Sequence, residues 1–301
     1  MMMCKESMPI SKKKGQQLFW WRESKEKRVS QRNSRIGIKL NKQMSKRRRF
    51  VIVALLLTLG LFVIQRMSVE RRGIAIVVLG AASYGLSLWS LRRDLKGVAW
   101  IVDLILPTLY PMAVALFYFL LPQEFLTRVI MFIVFAISMY ALLLTANIFA
   151  VATNRTIQLL RAARTVGFLL SVMTATLIYH VILSLNLPVW AVTGLVTMVA
   201  FPVFLQGVWG YTLGMKLEKG ELLYSLIGAV LTLELTLALT FWQIEPLMGS
   251  VLLSMMTYVL LGLYQQDIDK RLFRKTTQEY LWFAGVAYLV VSTVVMSRWM
   301  S

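Results

Sequence analysis

Residues 129–152 read VIMFIVFAISMYALLLTANIFAVA and contain no charged side chain. At about 1.5 Å of rise per residue, a helix of this length covers the roughly 30 Å of a bilayer's hydrocarbon core. A backbone in lipid has no water to satisfy its amides, so an uncharged run this long is read as a membrane-spanning helix rather than a soluble one.

The same pattern recurs on both sides of that run. From Phe50 onward, apolar stretches alternate with short polar breaks, and the spans are predicted at 50–66, 73–91, 98–121, 129–152, 166–187, 189–212, 222–243, 247–264 and 280–298. The fold class is therefore an all-α polytopic transmembrane bundle of about nine spans, with eight to ten as the bracket. Composition agrees: of 301 residues 58% are hydrophobic and 16% charged, too apolar for an ordinary soluble domain.

The net charge of +19 raises nucleic acid as a partner, but the charge is concentrated rather than spread. Of the 33 Lys and Arg, 16 lie in the first 49 residues, and the remainder punctuate the apolar runs. The chain thus divides into a basic, disordered tail, 1–49, and a transmembrane helical domain, 50–301. No nucleic-acid partner is expected. The tail holds Trp20 and Trp21 amid lysines and ends on Arg47, Arg48 and Arg49. Such a segment either rests on anionic headgroups, aromatic rings dipping in and cations holding it there, or is simply solvated. The start lacks the pattern of a cleaved secretory signal, and the single cysteine, Cys4, rules out an internal disulfide.

Placing the tail inside assigns 12 loop Lys and Arg to the cytoplasmic side and 5 to the other, Arg66, Arg71, Arg72, Arg128 and Arg298. The positive-inside rule then predicts N-in and C-out, in a cytoplasmic membrane, with the Arg66–Arg72 loop as the discordant piece. Trp89, Trp100 and Trp209 near predicted inner helix ends, and Trp190, Trp242 and Trp299 near outer ones, form the matching aromatic belt.

Between the fourth and fifth spans stands Asn154-Arg155-Thr156-Ile157-Gln158-Leu159-Leu160-Arg161-Ala162-Ala163-Arg164. Its alternation of cations with apolar residues predicts a brief interfacial helix over 154–165. This segment resembles one found in uncharacterised multi-span membrane proteins of bacteria. The resemblance implies a polytopic fold and carries no activity.

Chemistry in such a chain resides in the polar groups within its spans. Glu234 falls about 18 Å into the seventh span and cannot easily reach water. It must be neutral, face a wet cavity, or find a partner. His180, the only histidine, lies at roughly the same depth, about 21 Å, so the two are candidates for a proton-responsive pair, although a lone histidine on an apolar helix commonly just packs. Asp103, Asn147 and Gln206 share a shallower layer, about 8 Å deep. Asp103 is either an ion or proton ligand or a group that pairs near the interface, and the two amides suit interhelical hydrogen bonds.

Pro107 and Pro111 in the third span and Pro202 in the sixth are candidate helix breaks, since freed carbonyls are tolerated where they line a cavity. Gly228, Thr232, Thr236 and Thr240 recur every four residues and predict a packing face, from which Glu234 is offset by about 200°. No metal site, cofactor motif or nucleophile-and-base arrangement is legible. The leading functional reading is a small-solute or proton-coupled carrier with Glu234 at its centre. The alternatives are a non-catalytic subunit or scaffold that recruits a protein partner, a second copy or anionic lipid, and a membrane enzyme acting on lipid-linked substrates.

Overall fold

The structure, a computed structural model, describes residues 47–92, 94–122, 124–153, 159–242, 244–268 and, near the C-terminus, 278–280, 282, 285–286, 288–290 and 293. Two units are distinguished, Met1–Arg49 and Phe50–Ser301. In the first, Arg47–Arg49 are helical, and the expectations for Trp20 and Trp21 fall outside the described residues. The second unit carries the bundle.

Every regular element among the described residues is a helix. They are α1 (Arg47–Gln65), α2 (Val69–Leu91), α3 (Ala99–Val102), α4 (Ile105–Tyr118), α5 (Phe125–Ala152), α6 (Leu160–Ser184), α7 (Val189–Thr212), α8 (Lys219–Trp242) and α9 (Pro246–Ile268). With α3 and α4 forming one crossing, eight helical segments are long and apolar enough to span a membrane. The ninth predicted span lies largely outside the described residues, and those of its positions that are described, such as Tyr280, Trp282 and Gly285, are helical.

Successive spans alternate in direction, and contacts between their ends define two faces. On one face the α2–α3 turn meets the α7–α8 turn, where the Val98 N–H donates to the Met215 carbonyl at 3.3 Å. Gly97 has φ +58°, and a Cβ there would stand 2.4 Å from that carbonyl, so glycine permits both the turn and the close approach. On the same face the Tyr224 hydroxyl of α8 donates to Asp267 of α9. On the other face the Phe62 and Phe132 rings meet at 5.6 Å and the Arg72 guanidinium lies 4.6 Å from the Phe119 ring centre.

Two apolar cores result. One draws mainly on α1 to α5, around Leu57, Leu104, Phe135 and Met139, and is joined by Ala163 and Trp209; the other draws mainly on α6 to α9, around Tyr179, Phe204 and Leu253, and is joined by Ala113. α6 packs on α4 and α5 and joins them. The outer surface is a belt of exposed aliphatic side chains, among them Ile74, Val77, Ile133 and Ile137, which places lipid around the bundle.

The structure revises one boundary. α6 begins at Leu160, six residues before the predicted span. Leu160–Thr165 is therefore the first part of a spanning helix rather than a separate interfacial one, while 154–158 lie outside the described residues. No proline interrupts 160–166, and the arginines there are carried on the helix end, where long side chains reach polar surroundings.

Candidate functional site

Proline geometry explains the interruption of the third span. Pro107 has no N–H for the Asp103 carbonyl one turn earlier, and its ring crowds that oxygen; the helix accordingly stops at Val102 and resumes at Ile105. Asp103, in the gap, is 1% exposed, and neither carboxylate oxygen has a hydrogen-bond partner among the described residues. Pro111 deprives the Pro107 carbonyl in the same way, but here the gap is filled: the Ser83 hydroxyl of α2 donates to Pro107 O at 2.6 Å. α2 and α4 are antiparallel, so one turn further along α2 brings Ser87 level with Asp103. The Ser87 hydroxyl is likewise buried without a partner among the described residues. Pro202, by contrast, sits within α7, which continues past it.

Gln206 lies in a second polar place, between α6, α7 and α9. The Ser171 hydroxyl, buried on α6, donates to the Gln206 amide oxygen at 2.9 Å and lies 2.8 Å from its own helix's Gly167 carbonyl. Beside them opens a narrow cleft, its enclosed room only about 10 Å³ and its mouth open to the surroundings, bordered also by Arg164, Tyr211 and Gln265. The Arg164 guanidinium donates to the Tyr211 carbonyl at 2.6 Å and stands 4.3 Å from the centre of the Tyr211 ring. It thereby caps the C-terminal end of α7, whose last carbonyls have no helical partner. Three glycines let the helices close around this place: a Cβ at Gly207 would come within 2.7 Å of Leu261, and at Gly167 or Gly210 within 3.1 Å or 3.3 Å of the Phe149 ring.

Asn147, half-buried on α5, keeps its amide oxygen buried without a partner among the described residues. No hydrogen bond joins Asp103, Asn147 and Gln206 among the described residues, so the shared depth does not make a shared network. His180 packs against Phe117 of α4, ring centres 5.6 Å apart, with Nδ1 unpartnered among the described residues. Glu234 is exposed on α8, on the side away from α7. Among the described residues it forms no ion pair with His180. Arg47 and Arg48 are exposed and Arg49 half-buried at the start of α1.

A family described as "Protein of unknown function (DUF5656)" matches residues 56–294, which takes in α2 to α9 whole and most of α1. The chain belongs to the DUF5656 family. No curated protein and no solved structure matches it, so residue roles in this DUF5656 protein rest on its own geometry.

That geometry brings forward residues that the sequence pattern does not mark. By pattern Arg164 groups with loop charges, yet it lies inside α6 and borders the cleft. Ser83, Ser87 and Ser171 carry no motif; a signal for Ser83 is present in the two prolines four residues apart, which leave acceptors for a neighbouring helix to fill. Glu221, 4% exposed, accepts from the Thr212 hydroxyl and from the Glu218 N–H at 3.1 Å. It ties the α7–α8 turn from the third helical position of α8, as capping residues do.

Proposed function

We propose that this DUF5656 protein is a non-catalytic subunit of a membrane assembly and that the outward face of α8 holds the partner. One observation carries the reading: Glu234 stands in an exposed stripe that is otherwise apolar. Leu223, Ile227, Val230, Ala238 and Phe241 surround it at three- and four-residue spacing, and all face out of the bundle. An ionised side chain at the centre of a span costs about 2.5–3.5 kcal/mol on insertion scales, and carboxylates in spans nearly always face a bundle interior, wet cavity or partner. A partner helix presenting a cationic or hydrogen-bonding side chain at the depth of Glu234 would remove that cost, while the aliphatic stripe supplies the packing.

The carrier reading needs Glu234 on a wet path with Asp103 or His180; Glu234 points out of the bundle and His180 packs edge-on against Phe117. The enzyme reading needs acids converging at headgroup depth, and no group of three or more His, Cys, Asp or Glu gathers among the described residues. The tail, with Trp20, Trp21 and Arg47–Arg49, would add hold on anionic lipid. We place it on the cytoplasmic side on the loop-charge count alone.

A photo-crosslinking residue at Val230 or Ala238, compared with Ile74 and Ile137 on other exposed faces, tests the reading in native membranes. The expected result is a discrete adduct of fixed mass from the α8 positions alone, reduced at least tenfold by Glu234→Gln. Equal adducts from all four positions, or adducts indifferent to Glu234→Gln, overturn it. An adduct at twice the chain mass would name a second copy as the partner.

A further inference from the structure

The Arg164 cleft does not belong to the α8 face, and its chemistry is one-sided. Among the described residues its border contains one permanent cation and no carboxylate; Arg164, Ser171, Gln206, Tyr211 and Gln265 are the polar ones. Arg164 makes one hydrogen bond among the described residues, from Nη2 to the Tyr211 carbonyl, while Nε is buried with nothing among them to receive its proton. A guanidinium carries five N–H donors in a planar fork, so most of its capacity is unused. The Ser171 contact occupies the Gln206 amide oxygen and leaves the Gln206 NH2 group as a further donor. Arg164 is half-buried, but its Nε is shielded from water and without an acceptor among the described residues, so this donor and the neighbouring amide form an incomplete arrangement. The missing component is an anion with several acceptor oxygens.

We infer that the cleft between α5, α6, α7 and α9 binds a phosphate-type oxyanion through Arg164, with Gln206 as a second donor. Phosphate oxygens match the guanidinium fork, which takes two of them in parallel. The Tyr211 ring, its centre 4.3 Å from the guanidinium carbon, and the bond to the Tyr211 carbonyl hold the group in place before the ligand arrives. Gly167, Gly207 and Gly210 keep Cβ atoms out of the surrounding helix contacts. Arg164 sits four residues from the start of α6, about 6 Å along the helix. Both the phosphodiester of a lipid headgroup and a free phosphate can reach that depth.

The test uses full-length protein in phosphate-free maltoside micelles at constant ionic strength, with the thermal unfolding midpoint as readout. Inorganic phosphate and a short-chain phosphatidylglycerol are titrated separately. The expected result is a saturable rise in Tm that is absent in Arg164→Gln, at least tenfold weaker in Arg164→Lys, and unchanged in Arg161→Gln, an exposed cation one turn away. A rise with phosphatidylglycerol alone assigns the site to a lipid headgroup; a rise with inorganic phosphate admits the free ion. Arg164→Lys keeps a cationic cap for α7 while losing the fork, so it remains informative if Arg164→Gln does not fold. The inference fails if neither titrant gives a saturable rise, or if the rise persists in Arg164→Lys at wild-type strength, or if Arg161→Gln abolishes it equally.

Discussion

On the face of α8 turned toward α7, Gly228, Thr232 and Thr236 are buried, and each threonine hydroxyl donates to the carbonyl four residues back at 2.7 Å. On the opposite face Glu234 stands exposed among aliphatic residues. From Gly228 to Thr236 the inward polar groups are satisfied inside their own helix, so this part of the seam with α7 closes by shape, with the Phe204 ring lying where a Cβ of residue 228 would be. A carboxylate has no donor to offer a backbone carbonyl when ionised, and the helix has no free N–H at mid-length to offer it. The inward face of α8 is thus self-sufficient and the outward face is incomplete.

The largest effect that would break this comparison is on insertion. Glu234→Leu should lower the apparent insertion free energy of the 219–242 span by about 3 kcal/mol, as measured by translocon insertion of that segment. A change near zero would mean that Glu234 escapes the hydrocarbon, and the two faces would no longer differ. A smaller effect of opposite sign belongs to the seam. Gly228→Ala puts a Cβ 2.8 Å from the ring of Phe204, which is fully buried and cannot yield. Overpacking of this kind costs about 1–3 kcal/mol, and the loss should appear as a lowered unfolding midpoint in mixed micelles. An unchanged midpoint would sharpen the comparison differently, by showing that the seam is loose.

Legibility in the sequence follows the physics of each feature. Span positions are readable because every residue of a lipid-crossing segment must be apolar, and α5, α7 and α8 fall within a few residues of 129–152, 189–212 and 222–243. The start of α6 is not, since Arg161 and Arg164 look like loop charges until their long side chains are allowed to reach the helix end. The direction of Glu234 is partly readable, because its offset of about 200° from the Gly-Thr stripe puts it opposite whatever the stripe packs on. Its expected meeting with His180 rests on depth, and depth says nothing about direction around a helix. Asp103 and Gln206 fall at one level for the same reason and lie in separate places, one at a helix gap, the other bonded to Ser171. The Arg164 cleft is invisible in the sequence because four helices, α5, α6, α7 and α9, supply its sides.

The most direct test is a nitroxide scan of α8 in liposomes of the purified protein, on a Cys4→Ser background, with single cysteines from position 228 to 238 and collision rates with dissolved oxygen as readout. The account predicts maxima at 230, 234 and 238 and minima at 228, 232 and 236, the outward stripe being in contact with lipid and the seam closed. A maximum at 232 and 236, with 234 protected, would contradict it and return Glu234 to the interior of the bundle.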